Sequence, residues 1–489
     1  MIWTLLGVPL ASAAAAFAIR ADGPRRGLLL AAALTHAALT AACWTIQPAP
    51  VFGGYLALDA AGRLFLSLLS ALFLAASFYG AGYLRAAGRT KEEEDAAGFL
   101  FANAPEAVFT GCLLCFLGTM SLAVLSQHFG LLWVGIEATT LCSAPLIHFH
   151  RQRRSLEATW KYLLVCSVGI ALALLGNFFL AVAARQHHDL LMTVPELVAQ
   201  AGRLDKQWLK AAFLLFLVGY GTKMGLAPMH TWLPDAHSEA PSVVSALLSG
   251  ALLNCAFLAL LRVNAVLAAA GLADFSGELL VGFGLLSMAV AAAFIIGQGD
   301  FKRLLAYSSV EHMGILAFGA GLGAAAPAAL LHAVNHSLTK GFLFLTAGNL
   351  LAASRTKSVG EIRGLLRALP RSGALWLVGF LAITGSPPFG TFVSELWILQ
   401  GALARHRGVL AALYLAFLAA VFAAMASVVL KMSQGEPSDR LKEVPGDDAD
   451  PWRFWPPALL AAAVLVLGLW VPPPLLDAVR EAAAVLGMR

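Results

Sequence analysis

The chain has 489 residues, 59% hydrophobic and only 12% charged, with a mean hydropathy of +0.77. A globular domain carries about a quarter charged residues, so composition excludes a soluble enzyme and points to a polytopic membrane protein. The net charge of +5 resides in short loops between apolar runs, which makes it a topological signal and implies no nucleic-acid partner.

Apolar runs begin near Trp3, Leu28, Leu64, Phe109, Leu131, Tyr162, Ala211, Val243, Leu279, Leu304, Ala328, Leu375, Val409 and Ala458. Each is long enough, at about 17–25 residues, to cross roughly 30 Å of hydrocarbon as helix, giving about fourteen spans. Basic residues collect in alternate loops: Arg20 to Arg26, Arg85 to Lys91, Arg151 to Arg154, Lys302 and Arg303, Arg355 to Arg371, and Lys431 to Lys442. Those loops are expected in the cytoplasm, which places both termini outside. The loop holding Arg185, Arg203, Lys206 and Lys210 departs from that rule. The opening MIWTLLGVPLASAAAAFAIR has no basic leader before its apolar run and is taken as the first helix rather than a signal peptide.

Residues 1–105 read as a three-helix scaffold with a charged loop, KEEED, from Lys91 to Asp95. In the fourth span Cys112 and Cys115 form a CxxC one helical turn apart. With no second pair nearby they read as small apolar helix residues, and no metal or cofactor ligand set is expected anywhere in the chain.

Residues 106–265 read as a first repeat unit. Glu137 lies deep in the fifth apolar run, where an ionisable group must face protein or water rather than lipid. Glu157 and Lys161, four apart at the start of the sixth span, lie on one helix face; Lys161 is a candidate for proton entry. The seventh span, through GTKMGLAPMHTWLPDAH, is interrupted by Gly225 and Pro228 and carries Lys223. Proline removes a backbone donor and frees carbonyls inside the protein, and a lysine's proton affinity is tuned by burial and neighbouring charge. His230, Asp235, His237 and Glu239 are expected at a cytoplasmic mouth as proton collectors. The eighth span offers only Asn254 at mid-depth, an amide that cannot itself carry a proton.

Residues 275–432 repeat the plan. Glu311 and His312 fall in the tenth span. His332, His336 and Lys340 follow at i, i+4 and i+8 on one face of the eleventh, a stripe suited to proton exchange through short water bridges. The twelfth span, AITGSPPFGTFVSELW, is broken by Gly and Pro and delivers Glu395. Paired interrupted segments in corresponding halves are the sequence pointer to a transport site. Residues 433–489 hold a charged loop, Gly435 to Asp450, and a last span closed by VPPP.

These motifs, in this order and spacing, resemble the antiporter-like proton-translocating subunits shared by respiratory complex I, the Mrp cation/proton antiporters and the group 4 hydrogenases. The stretch WVGIEATTLCSAPLIHFHRQRRSLEATWKYLLVCSVGIALALLGN is most similar to hydrogenase-4 component F. The resemblance implies an all-α membrane fold of about fourteen helices in two inverted five-helix repeats, with helices 7 and 12 discontinuous. It further implies that Glu137 and Lys223 act as a carboxylate and lysine pair, that His312, His336 and Lys340 form a central polar axis, and that Glu395 is the terminal site, where other members have lysine. Asn254 stands where the family often has Lys or His, which interrupts a direct side-chain relay through the eighth helix. The long lateral helix of the largest complex I member is not expected.

The function expected is proton translocation from the cytoplasm to Lys223, along His312, His336 and Lys340, and out through Glu395. An ion pair between Glu137 and Lys223 would hold the lysine charged. The chain has no phosphate loop and no iron–sulfur or flavin ligand set, so energy is expected from a partner: other membrane subunits and a soluble, hydrogenase-like redox arm in the inner membrane. Alternatives are a sodium/proton antiporter subunit, the membrane partner of an inorganic-carbon uptake system, or a structural anchor.

Overall fold

In hydrocarbon every backbone amide has to be satisfied within the protein, and a helix does this alone. The computed structural model describes residues 1–96, 103–185, 190–442 and 450–487, and among these the regular elements are helices, with isolated bridges in place of sheets. Of the predicted charged loop from Gly435 to Asp450, residues 443–449 lie outside the described set.

In chain order the principal helices are α1 (Ile2–Ala18), α2 (Asp22–Ala42), α3 (Ala60–Ala96), α4 (Glu106–Leu125), α5 (Phe129–Ile147) and α6 (Arg153–Ala183). There follow α7 (Lys206–Met224), α8 (Leu233–Glu239), α9 (Ser242–Ala269), α10 (Ala273–Ile295), α11 (Phe301–Gly321) and α12 (Ala326–Ser354). The last are α13 (Pro370–Ile383), α14 (Gly390–Ala404), α15 (Gly408–Ser433), α16 (Pro451–Leu469) and α17 (Pro473–Val485). The predicted seventh span is α7 with α8, and the twelfth is α13 with α14. Among the described residues nine segments are long and apolar enough to cross a membrane, and α1 and α13 are shorter apolar helices.

Local chemistry sets several helix starts. Asp205, Asp300 and Asp450 each accept hydrogen bonds from backbone N–H groups in the first turn of α7, α11 and α16, the acidic N-cap that satisfies otherwise orphaned donors. At the other end of α4, the buried Arg262 of α9 donates to the carbonyls of Ala123, Val124 and Ser126 at 3.2, 2.8 and 2.7 Å and pairs with Asp59. A cation there neutralises the negative end of the helix dipole.

Helix α9 is buried from Ser242 to Leu267 and contains a π turn at Leu248–Leu252; such turns are frequent at functional sites. Around it, α6 packs on α7, α10 on α11 and α4 on α5. Where α10 crosses α11, a Cβ on Gly284 or Gly314 would meet the other's carbonyl oxygen at 2.7 or 2.6 Å, the close approach that small residues permit between membrane helices. The outer faces of α6 and α15 expose Leu164, Val168, Phe178, Val409 and Leu415, as hydrocarbon contact requires.

Three sequence expectations are corrected here. Helix α3 runs on to Ala96 through the acidic run read as a loop. Lys302, assigned to a cytoplasmic loop, is wholly buried and donates to the Ala240 carbonyl at 2.5 Å, at the end of α8. VPPP does close the span α16, which ends at Leu469, but that span is not the last helix: Pro473 opens α17, which buries Ala478, Val479, Ala482 and Ala483.

Candidate functional site

Helix α7 stops at Met224, and Gly225 turns the chain with φ of +85°, a conformation that costs glycine little and a larger residue more. The chain passes through Pro228 and a 3₁₀ turn at Met229–Trp232 before α8 begins. Lys223, in the last turn of α7, is wholly buried. Its Nζ donates to Thr140 Oγ1 at 2.8 Å and to the Tyr162 hydroxyl at 2.7 Å, and lies 4.6 Å from the centre of the Tyr162 ring. Thr140 in turn donates to Glu137 at 3.2 Å, and Ser167 donates to the other carboxylate oxygen at 3.2 Å.

Glu137 and Lys223 therefore do not form the expected ion pair. Thr140 stands one turn after Glu137 on α5 and interposes its hydroxyl, while the carboxylate is half-buried at the edge of α5 and α6 and the ammonium is inside. The arrangement is an acid and a base joined through a hydroxyl that can both accept and donate.

The second break has the same form. Helix α13 ends at Ile383, Gly385 has φ of +62°, and α14 begins at Gly390. The carboxylate of Glu395 folds back onto Gly385, where a Cβ would collide with it. Glu395 is 6% exposed, and its Oε1 has no hydrogen-bond partner among the described residues. Beside it, His312 Nδ1 and His332 Nε2 are 2.9 Å apart, His312 Nε2 lies 2.8 Å from the Ile383 carbonyl, and His332 Nδ1 lies 3.0 Å from Ser394 Oγ.

Between the breaks, Lys340 donates to the Leu305 carbonyl at 2.8 Å and to Ser308. Glu311 is buried, makes no ion pair with Lys340, and its Oε2 has no partner among the described residues. The ring of His336 is centred 5.3 Å from that of His312, and neither of its nitrogens has a partner among the described residues. The amide of Asn254 follows the π turn of α9 and donates to Gly250 O and to Ser337 Oγ at 3.1 and 2.5 Å, so it joins α9 to α12 rather than to a titratable group.

The expected mouth divides in two. Asp235 pairs with Lys161 at 3.0 Å and with Arg303, and Glu239 pairs with Lys357 at 2.8 Å. Asp235, Lys161, Arg303 and Glu239 line a charged vestibule of about 480 Å³ with Glu157, Asp300 and Arg154. Lys161, 48% exposed and also 2.7 Å from Glu157, belongs to that vestibule. His230 and His237 do not. His230 is buried against Phe294 and Tyr307, and His237 is wholly buried, stacked on Phe344 at 5.2 Å with both ring nitrogens unpartnered among the described residues. Helix α8 is amphipathic over barely two turns, so Asp235 faces out while His237 faces in.

Sequence reading missed the hydroxyls that connect these groups: Thr140, Tyr162, Ser167, Ser308 and Ser394. A hydroxyl on an apolar run gives no signal of its own, though TT after Glu137 and SS before Glu311 place them one turn away on the same face.

Residues 126–423 match a family model described as NADH:quinone oxidoreductase/Mrp antiporter, TM. A hydrogenase-4 component F homolog of Methylacidiphilum infernorum is 39% identical over 374 residues, covering 75% of this chain and 77% of that protein. In fold, a chain of the membrane-bound sulfane sulfur reductase, an archaeal respiratory membrane complex, aligns with a TM-score of 0.84 at 19% identity over 99% of this chain and 97% of that one. A chain of the Mrp complex from a Dietzia species aligns with 0.83 at 20% identity over the same shares. The multi-pass helical fold, the family match over the segment that holds Lys223, Lys340 and Glu395, and the 39% identical relative lead to one assignment. This chain belongs to the NADH:quinone oxidoreductase/Mrp antiporter transmembrane family and is an antiporter-like membrane subunit of the complex I, group 4 hydrogenase and Mrp type.

Proposed function

We propose that the chain moves protons across the inner membrane along Lys223, Lys340, His336, His312, His332 and Glu395, driven by a soluble redox arm held in the same complex. The observation that carries this reading is the burial of these six groups inside the bundle, away from both lipid and solvent. An ionisable group at such depth costs roughly 2.5–3.5 kcal/mol or more, and a structural anchor gains nothing from six of them. Buried polar atoms are ordinarily satisfied by protein or by internal water. The unpartnered nitrogens of His237 and His336 and the free oxygens of Glu311 and Glu395 thus mark where water would complete the relay.

His237 lies between Trp232, which packs on Tyr162 beside Lys223, and Phe344, one turn beyond Lys340. It bridges the two lysines in place of Asn254. The vestibule around Asp235 and Lys161 receives protons from the cytoplasm, and Glu137 is joined to Lys223 through the Thr140 hydroxyl. Moving each charge against the field costs about 2.3 kcal/mol per 100 mV, which a partner must supply. The 39% identical relative named a hydrogenase-4 component F homolog supports a hydrogenase-type arm over a free-standing sodium/proton antiporter.

The organisation that goes with this reading is about fourteen spans with both termini outside. Residues 1–105 are scaffold, 106–265 and 275–432 are inverted repeats, and 433–489 carry the charged segment and last helix. The matching glycine turns at 225 and 385, each followed three residues later by proline, support the repeat. The test is proton uptake into vesicles by the assembled complex, measured together with redox turnover. Lys223→Met and Glu395→Gln should each stop uptake while turnover of the soluble arm continues; unchanged uptake in either would remove the route.

A further inference from the structure

The pair His312 and His332 with Glu395 has a second chemistry that sequence reading, which assigned no metal ligands, did not foresee. One nitrogen from each ring and one carboxylate oxygen lie within 4.8 Å of one another, and all three residues are buried. The ligands come from α11, α12 and α14, so no short spacing in the chain announces them.

We propose that His312, His332 and Glu395 bind a divalent cation of the zinc class, and that the ion closes the terminal end of the buried array. Two imidazoles and a carboxylate with a fourth position open to water is a known donor set for Zn²⁺, with bonds of about 2.0–2.2 Å to nitrogen and oxygen. Ligands on such an ion stand roughly 3.3 Å apart. The two histidine nitrogens, at 2.9 Å, are already near that spacing. Glu395 Oε1 is unpartnered among the described residues, so the carboxylate can turn toward the ion without breaking a bond to any of them at that oxygen.

The outer nitrogens supply independent support. Metal-bound histidines almost always donate their other ring N–H to an acceptor that fixes ring and tautomer. His312 Nε2 faces the Ile383 carbonyl, which can only accept, so Nε2 carries the proton and Nδ1 presents a lone pair. His332 Nε2 then donates to His312 Nδ1. On metal binding the His332 proton moves to Nδ1, where Ser394 Oγ turns from donor to acceptor. No imidazole proton is lost in that change, and any proton on Glu395 leaves as its carboxylate binds.

The binding rests on these side chains alone, whereas the closing of the array rests on the proposed function, and the test separates them. The full chain in its complex is titrated with Co²⁺, whose visible absorption reports a tetrahedral site, and Zn²⁺ is used to displace it. We expect one such ion per chain, lost in His332→Gln and in Glu395→Gln. Ser394→Ala, which leaves all three ligands in place, should weaken binding by about tenfold, and that variant guards against a ligand substitution that merely unfolds the site. Absence of the tetrahedral spectrum in the wild type, or its survival in the His332→Gln/Glu395→Gln double variant, overturns the site. Cobalt binding without slowed proton uptake keeps the site and overturns the closure.

Discussion

At the first break the charged residue precedes the left-handed glycine by two positions, Lys223 before Gly225; at the second it follows by ten, Glu395 after Gly385. The ammonium has two hydroxyl partners and an aromatic face, whereas the carboxylate keeps an oxygen with no partner and sits beside two linked imidazoles. The same backbone device thus serves two ends: at Lys223 it sets an amine within a shell of hydroxyls, and at Glu395 it leaves an acceptor oxygen without a partner among the described residues. A buried group without a partner costs about 1–3 kcal/mol, so the second site stores a readiness that the first does not.

The largest effect should follow from removing the buried amine. Lys223→Met should lower proton uptake per redox turnover by more than about tenfold, an effect of at least about 1.4 kcal/mol on the limiting step. Lys223→Arg would not restore it, because guanidinium does not release its proton. Equal uptake in Lys223→Arg and wild type would show that the site holds charge rather than passing protons.

Much of this architecture was legible in the chain. Composition fixed the class, Gly225 with Pro228 and the GSPP run marked both breaks, and the i, i+4, i+8 stripe placed His332, His336 and Lys340 on one buried face of α12. What escaped was everything that depends on two helices meeting. The ion pair expected between Glu137 and Lys223 is a hydroxyl bridge, because periodicity can say that both residues face inward but not that Thr140 stands between them. His237 was placed at the mouth with Asp235, two residues away, since a short helix gives too few turns to show which face is buried. The His312, His332 and Glu395 cluster spans three helices and had no spacing to read.

Next in size is the backbone of the breaks themselves. Alanine at Gly225 or Gly385 forces a left-handed conformation worth about 1 kcal/mol, and the new methyl also meets a side chain, the flexible end of Leu233 at Gly225 and the Glu395 carboxylate at Gly385. Gly385→Ala should therefore lose about 2–3 kcal/mol of stability, more than any strain alone, and the double variant Gly385→Ala/Glu395→Ala should recover part of it. Thermal unfolding in detergent measures both. Full additivity of the two substitutions would mean that the carboxylate does not rest on the glycine.

Thr140→Val tests the bridge at the first break. It keeps the shape, removes the hydroxyl, and leaves Lys223 and Glu137 each short of one partner, at a cost of about 1–3 kcal/mol. Proton uptake should slow severalfold, and Thr140→Ser, which restores the hydroxyl, should return it. Loss of stability with unchanged uptake would make the threonine a packing residue and leave Glu137 outside the relay.

The smallest effect separates the vestibule from both breaks. Lys161 is half exposed, and its pairing with Asp235 competes with Arg303 and Glu157, so Lys161→Ala should change stability by less than about 1 kcal/mol. Its influence should appear instead as a weaker salt dependence of proton uptake, since exposed charges act over a screening length of about 10 Å at 0.1 M salt. If Lys161→Ala stopped uptake as completely as Lys223→Met, the vestibule would be a station on the route rather than its antechamber, and the contrast between exposed and buried lysines would fail.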